Sequence, residues 1–514
     1  MSAALDRKPA LVFIGFMGAG KSKAARAARG AGLESLDADL ELERALDMPI
    51  PDFFAARGED EFRARERELV VKLLDRADGG ALALGGGSVL ADEVRESLER
   101  HVVVWLDVGV DEAWERVEGS SRPLARDRAR FEELHAERSP IYESLADAIV
   151  PGRRDTVGRA LPALRTLVDL PRGTRLAWAT SASADYPAFV GRGLLGAYWP
   201  LDGEPVCVTD EHVGPIYGHL LAGEERRIVI PAGEPSKTWS EAERVLVALA
   251  DLGVTRSDHI AALGGGVVGD LGGFCAATYQ RGIDVVQVPT TLVAQVDSAY
   301  GGKTGVDLPQ AKNYAGAYHQ PAAVLTDPST LETLPAPELA AGWPEVIKTA
   351  LIAGGALWER VRAIESIEPS ELDDVIFACA RHKTGVVAAD ERDAGARQTL
   401  NLGHTVGHAI EAATAYRRYR HGEAVALGLL AALRLSGADA VREEVRDRLS
   451  RVGLPVTLDA GIDLDAVMAA MERDKKRTAE GVGFVLLARP GEPETGRRVD
   501  PGDVRAAVEE LVSG

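Results

Sequence analysis

Three short segments of the chain carry residues of the types that hold a metal ion: Glu345 and Lys348 in AGWPEVIK, His404 and His408 in NLGHTVGH, and His421 in HGEAVALG. One carboxylate with two imidazoles is the donor set of a catalytic Zn2+ (or Co2+) site, because such ligands bind tightly and leave a position open for substrate. His404 and His408 lie one helical turn apart, so spacing alone admits both as ligands. A second signature, GFMGAGKS from Gly15 to Ser22, stands near the other end. It follows an apolar strand and precedes a helix, the context a phosphate-binding loop requires. There the backbone N–H groups of Gly15, Gly18, Ala19 and Gly20 can converge on phosphate, Lys21 can reach the outer phosphates, and the Ser22 hydroxyl can ligate Mg2+. The motif alone indicates ATP or a similar nucleotide and leaves the acceptor open. One polypeptide is expected to hold two active sites.

The elements that must position these residues can be read from the apolar pattern. Alternating strands (Ala10–Ile14, Ala81–Leu84, Val102–Leu106) and charged helical stretches make residues 1–170 a compact α/β unit with a parallel sheet. Pro171 and Gly173 in DLPRGTR mark a boundary. Strands at Val206–Val208, Ile228–Ile230, Ile260–Leu263 and Val285–Val288 give a second α/β unit over 174–327, and Ala/Leu-rich segments predict an all-helical domain over 328–514.

At 514 residues with 46% hydrophobic and 27% charged residues, the chain has the composition of a multi-domain globular protein. A net charge of −20 argues against nucleic acid or an anionic membrane as partner. The N-terminus lacks the pattern of a cleaved leader, no apolar run is long enough to span a bilayer, and Cys207, Cys275 and Cys379 are too scattered for a disulfide framework. A cytoplasmic enzyme is expected.

After the phosphate loop come DAD (Asp37 to Asp39), Arg63 in FR, GGG (Gly85 to Gly87), RPL from Arg122, and Arg138 in ERSPIY. In this order they resemble shikimate kinase, a P-loop kinase with helices on both faces of its sheet. The resemblance implies that Asp37 helps hold Mg2+, that Asp39, Arg63, Gly86, Gly87 and Arg138 bind shikimate, and that Arg122 closes over the phosphates of ATP. The residue types fit that chemistry, since paired guanidinium groups can fork onto a carboxylate and Asp39 can orient the attacking hydroxyl.

In the second half, LGGGVVGDLGG places Gly264, Gly266 and Gly269 after a strand, a literal match to a dinucleotide fingerprint that is weak alone. It is joined by AGEPSKT (Glu234, Lys237), Asp270, TYQRG (Arg281), PTTLVAQVDSAYGGKTGVD (Thr290, Thr291, Asp297, Lys303), KNYAGAYHQP (Lys312, Asn313) and RDKK (Lys475, Lys476). With the metal motifs, this set resembles 3-dehydroquinate synthase over roughly residues 174 to 500. By that resemblance NAD is contacted by Asp210, Glu234, Lys237, Gly265, Gly266, Val267, Asp270, Thr290, Thr291 and Lys312. The metal ligands are Glu345, His404 and His421, with His408 beside the substrate phosphate instead. The substrate, 3-deoxy-D-arabino-heptulosonate 7-phosphate, would meet Asp297, Lys303, Asn313, Lys348, Asn401, His408 and one of Lys475 or Lys476, with Lys383 and Arg397 on its carboxylate. Arg281 would enter from a neighbouring subunit, which implies a homodimer. Tyr300, Trp343-Pro344 and His212 depart from the family pattern without removing a ligand.

The resemblance also implies the chemistry: a hydroxyl is oxidised by NAD, phosphate is eliminated, the ketone is reduced back, and the opened ring closes by aldol addition. Asp297, Lys348 and His408 would handle protons there, as Asp39 would in the kinase. The two activities are not consecutive steps, so direct handover between sites is not expected. Two other readings stand beside this one: another sugar phosphate cyclase or a polyol dehydrogenase for the second half, and a non-catalytic nucleotide sensor for the first.

Overall fold

A computed structural model describes residues 7–119, 127–153, 155–309, 311–475 and 483–513. Arg122 and Lys476 lie outside the described residues. The chain divides into two units, Met1–Trp178 and Ala179–Gly514.

The first unit holds β1 (Leu11–Ile14), β2 (Ser35–Asp37), β3 (Ala81–Ala83), β4 (Val102–Asp107), β5 (Ala148–Pro151) and β6 (Arg175–Ala179). They run in the order β2-β3-β1-β4-β5-β6, with every pair parallel. β1 and β3 are buried at every residue. That burial on both faces explains continuous apolar runs rather than alternation. β1 delivers the chain directly into the glycine-rich turn and the helix Lys21–Gly30.

The second unit begins with six parallel strands, β7 (Tyr186–Val190), β8 (Val206–Asp210), β9 (Arg227–Ile230), β10 (His259–Gly264), β11 (Asp284–Pro289) and β14 (Ala323–Thr326). Their order is β7-β14-β11-β10-β8-β9, again with parallel pairing throughout. An antiparallel pair, β12 (Lys303–Leu308) and β13 (Ala311–Tyr318), stands apart from those strands. Val206, Val208, Ile260 and Ala262 form one buried cluster with Val268, Leu271 and Cys275 of the helix Gly266–Thr278, which fixes that helix behind the turn after β10.

Among the described residues the remainder is helical with one exception. β15 (Phe484–Leu487) and β16 (Pro493–Arg497) form an antiparallel hairpin, so the expectation of an all-helical third region is corrected there. Each strand is too short to show a period, but the Gly491 turn (φ 92) and the bond from Leu487 N to Ser436 Oγ (2.8 Å) hold the hairpin against the helices. All three cysteines are buried and unpaired. Among the described residues no helix is long and apolar enough to cross a membrane.

Candidate active sites

In the first unit the turn after β1 is left-handed at Gly18 (φ 80) and Gly20 (φ 96), a conformation that aims successive N–H groups into one hollow. Lys21 Nζ donates to the carbonyls of Gly15 (2.9 Å) and Phe16 (3.1 Å), which folds the ammonium back over the loop. Ser22 follows in the first turn of the helix, half-buried, and Ala19 is buried. Asp37 ends β2 and caps the next helix, its Oδ1 accepting from Asp39 N at 3.1 Å.

Arg63 donates from Nη1 to Glu66 Oε2 (2.6 Å) and from Nη2 to Glu59 Oε1 (3.3 Å), while Glu66 Oε1 accepts from Ser88 Oγ (2.9 Å). A Cβ at Gly87 would stand 2.4 Å from Arg63 Nη1, so only glycine lets that guanidinium lie across the loop. The Gly86 carbonyl accepts from Tyr142 Oη at 2.6 Å. Burial pushes the Tyr142 hydroxyl up to about 12, against the opposing fields of Arg138 and Arg63. Arg63, Gly86, Gly87 and Arg138 therefore meet around one tyrosine. Asp39 lies near the same loop, with Oδ1 3.0 Å from where a Gly85 Cβ would be.

In the second unit three helices converge. Ala336–Ala353 is buried along most of its length, so Glu345 and Lys348 are each only 1% exposed. A Cβ on Gly422 would fall 1.7 Å from the Ala341 carbonyl oxygen, and one on Gly428 2.0 Å from that of Gly403. These two glycines let His421–Leu435 lie against both Ala336–Ala353 and the start of His404–Ala413. The consequence is that Glu345 Oε1 sits 3.4 Å from His404 Nε2 and 3.3 Å from His421 Nε2.

These donors fit a metal. Among the described residues neither Glu345 oxygen accepts a hydrogen bond of ordinary geometry, although both are buried; a buried carboxylate is stable in such a position when cations or coordination satisfy it. His404 Nδ1 lies 3.2 Å from the Leu402 carbonyl, which directs Nε2 toward Glu345. Burial raises the Glu345 pKa, but Lys348 and His404 outweigh it and hold the carboxyl well below its usual range. The His408 ring lies 5.2 Å from that of His404 and 5.9 Å from that of His421. Desolvation, then those two imidazoles, lower its pKa. Burial lowers His421 as well, but Glu345 and Glu411 raise it to about 10.

Asp297 lies in a π-helical turn, Ala294–Ser298, between two ammonium groups: Lys383 Nζ at 2.5 Å and Lys348 Nζ at 3.8 Å. Its burial would raise the pKa, yet Lys348 and Lys383 bring it to about 2. Lys348 also pairs with Glu345. Lys383 is held below the usual lysine value, mainly by burial, with the Lys348 charge adding to it.

A second group of charges gathers beside the turn that follows β10. Lys237 Nζ lies 3.1 Å from Asp270 Oδ2 and 3.2 Å from Glu234 Oε1, and Lys312 Nζ lies 3.4 Å from Glu234 Oε1. Burial lifts Asp270 to about 6, partly offset by Lys237. Gly265, Gly266 and Val267 form the N-terminal turn of Gly266–Thr278, and a Cβ on Gly265 would stand 3.0 Å from the Thr291 side chain. The Thr290 hydroxyl is buried with no hydrogen-bond partner among the described residues. An open glycine turn with an unsatisfied hydroxyl beside it fits a dinucleotide.

Other predicted residues are occupied elsewhere. Asp210 Oδ1 accepts from the backbone N–H groups of His212 and Val213, both at 2.9 Å. Lys303 pairs with Asp393. Arg397, 2% exposed, donates to the carbonyls of Glu391 (2.7 Å) and Gly301 (3.0 Å). Asn313 and Asn401 are exposed, and Lys475 closes the helix Leu464–Lys475. Arg281 is exposed and left-handed (φ 70) next to left-handed Gln280 (φ 48), whose carbonyl is gripped by Arg256 at 3.1 and 3.0 Å.

Sequence reasoning missed Glu66 and Glu411. Each sits three residues after a predicted site residue, Arg63 and His408, on the same helical face, and that spacing was the available signal.

Residues 17–163 match the shikimate kinase family model, 227–341 that of the 3-dehydroquinate synthase N-terminal region, and 342–477 that of its C-terminal region. A curated 3-dehydroquinate synthase of Symbiobacterium thermophilum is 43% identical over 350 residues, 63% of this chain and 98% of the relative. Among solved structures, 2-deoxy-scyllo-inosose synthase complexed with carbaglucose-6-phosphate, NAD+ and Co2+ aligns with a TM-score of 0.59 at 25% identity, over 66% of this chain and 100% of that one. The 2-epi-5-epi-valiolone synthase ValA of Streptomyces hygroscopicus, with NAD+ and Zn2+ bound, aligns with a TM-score of 0.58 at 27% identity, over 65% and 99%.

Proposed function

The chain belongs to the 3-dehydroquinate synthase family and carries a shikimate kinase domain ahead of it; it is a bifunctional shikimate-pathway enzyme, and from that premise we propose how its residues divide the work. The first unit phosphorylates shikimate with ATP. The second cyclises 3-deoxy-D-arabino-heptulosonate 7-phosphate to 3-dehydroquinate with loss of phosphate.

In the kinase, the turn from Gly15 to Gly20 cradles phosphates and Lys21 leaves its loop carbonyls to meet them. Ser22 and Asp37 serve Mg2+, Arg63 and Arg138 clamp the shikimate carboxylate, and Asp39 orients the acceptor hydroxyl. Glu66 aims Arg63 through the 2.6 Å bond.

In the synthase, Glu345, His404 and His421 hold zinc or cobalt, and NAD lies on the turn of Gly265, Gly266 and Val267 with Asp270, Thr290, Thr291 and Lys312 around it. When bound, the metal polarises substrate oxygens and NAD takes up and returns the electrons of one carbon–oxygen centre. Asp297, an acceptor flanked by Lys348 and Lys383, binds substrate hydroxyls and moves their protons. Lys303, Asn313, Asn401, His408 and one of Lys475 or Lys476 meet the phosphate. Arg397 reaches the substrate carboxylate by giving up a backbone carbonyl, with Lys383 beside it. Exposed Arg281, on a backbone fixed by Arg256, supports a homodimer in which it serves the partner's site. A cytoplasmic location completes the reading.

The observation that carries it is the meeting of Glu345, His404 and His421 at one point. A second reading, another sugar phosphate cyclase, is favoured by the structural likeness to two such enzymes. The 43% identity to a 3-dehydroquinate synthase and the attached kinase domain favour the first. The purified chain should make shikimate 3-phosphate from shikimate and ATP and release phosphate from the heptulosonate but not from glucose 6-phosphate. Efficient cyclisation of glucose 6-phosphate would move the second unit to the other reading.

A further inference from the structure

Each imidazole offers two nitrogens, and the metal reading uses one per ligand. His421 turns Nε2 to Glu345 (3.3 Å) and Nδ1 to Oε2 of Glu411 (3.4 Å). Glu411 is 2% exposed, lies on the same face of His404–Ala413 as His404 and His408, and gives its other oxygen, Oε1, to Lys312 Nζ at 3.1 Å. A buried carboxylate held between an imidazole and an ammonium is costly to keep unless both partners stay in place. Such a carboxylate accepts Nδ1–H, fixes the tautomer, and makes Nε2 a stronger donor.

We propose that Glu411 is the positioning residue of the metal site: it orients His421 through Nδ1, and through Lys312 it ties that ligand to the group of charges beside the glycine turn. The inference rests on the reading of Glu345, His404 and His421 as metal ligands. It assigns Glu411 no contact with metal or substrate. Two competing accounts make different demands. Glu411 as a mere counterion for Lys312 would leave metal affinity unmoved by its loss. The grouping of His408, Glu411 and His421, whose ligand atoms also lie within 4.8 Å of one another, could instead hold a second ion.

The test is zinc titration of the chelator-stripped full chain against a chromophoric chelator, with the cobalt absorption spectrum as a second readout. Glu411→Gln keeps size and removes the charge. It should bind one zinc per chain roughly ten- to a hundredfold more weakly, with an altered cobalt spectrum. Lys312→Met, which removes the other partner of Glu411 but leaves His421 its acceptor, should weaken zinc binding clearly less than Glu411→Gln and so separates positioning from general collapse of the region. Glu345→Gln should lose the ion and checks the ligand reading itself. The proposal is overturned by any of four results: unchanged affinity in Glu411→Gln, equal weakening in Lys312→Met, two zinc ions in the wild type with one lost in Glu411→Gln, or zinc retained in Glu345→Gln.

Discussion

The two sites solve opposite problems. The kinase site is made mostly of backbone: a contiguous loop of eight residues, Gly15 to Ser22, points N–H groups inward, and a few arginines close in from nearby helices. Its charges are paired at short range and only partly open to water, as half-buried Arg63 is with exposed Glu59 and buried Glu66. The synthase site is made of side chains drawn from segments far apart in sequence and locked by burial, from Asp297 through Lys348 and Glu345 to His421 and Glu411. A loop of amides tolerates the loss of one charge as a local event, whereas a buried chain of alternating charges fails as a unit when one member is removed.

The largest effects should come from the ligands. His404→Ala or His421→Ala should lose the metal and bring synthase turnover to background, while His408→Ala should keep the metal and still lose turnover. Metal analysis decides this, and loss of zinc from the His408 variant would reject the ligand set. Next, Lys21→Ala should lower kinase turnover by about 10²–10³ and leave the synthase unchanged. A parallel fall in the synthase would support the nucleotide-sensor reading and erase the contrast between the sites.

Arg397→Ala should follow, with synthase efficiency down roughly ten- to a hundredfold while NAD and metal stay bound. Because Arg397 also holds the Gly301 and Glu391 carbonyls, this variant should lose thermal stability too. Wild-type kinetics in this variant would remove it from the substrate carboxylate.

The smallest effect is on acid stability. Asp297 and Glu411 are each brought down to about 2 in the folded state, below their unfolded values near 4. Their contribution is therefore complete above pH about 4 and is lost as pH falls toward 2. Melting of the metal-free chain should show the synthase unit weakening across that window, and Glu411→Gln should flatten the slope. A slope unchanged by that substitution would leave Glu411 without a role in it.

This contrast also explains what the sequence made legible. The phosphate loop is local, so strand, turn and helix were readable together, and the parallel strands around it appeared as continuous apolar runs. The proposed metal ligands were readable as motifs, but their meeting depends on Gly422 and Gly428 bringing three helices close, which no local pattern reveals. Glu411 and Glu66 were visible as spacing yet looked like ordinary surface acids in a chain rich in them. Arg397 was readable as a cation near the site, whereas its bonds to two carbonyls follow only from the packing of the Gly301 turn. The β15–β16 hairpin escaped because four or five residues carry too little periodicity.

The central claim is that one chain holds two active sites, only one of which needs a tightly held zinc or cobalt ion. The most direct measurement strips the protein with a strong chelator, restores magnesium alone, and assays both reactions on the same sample. The account predicts synthase activity abolished and recovered by zinc or cobalt, with kinase activity intact throughout. Equal loss of both activities after magnesium is restored, or a synthase indifferent to chelation, would contradict it.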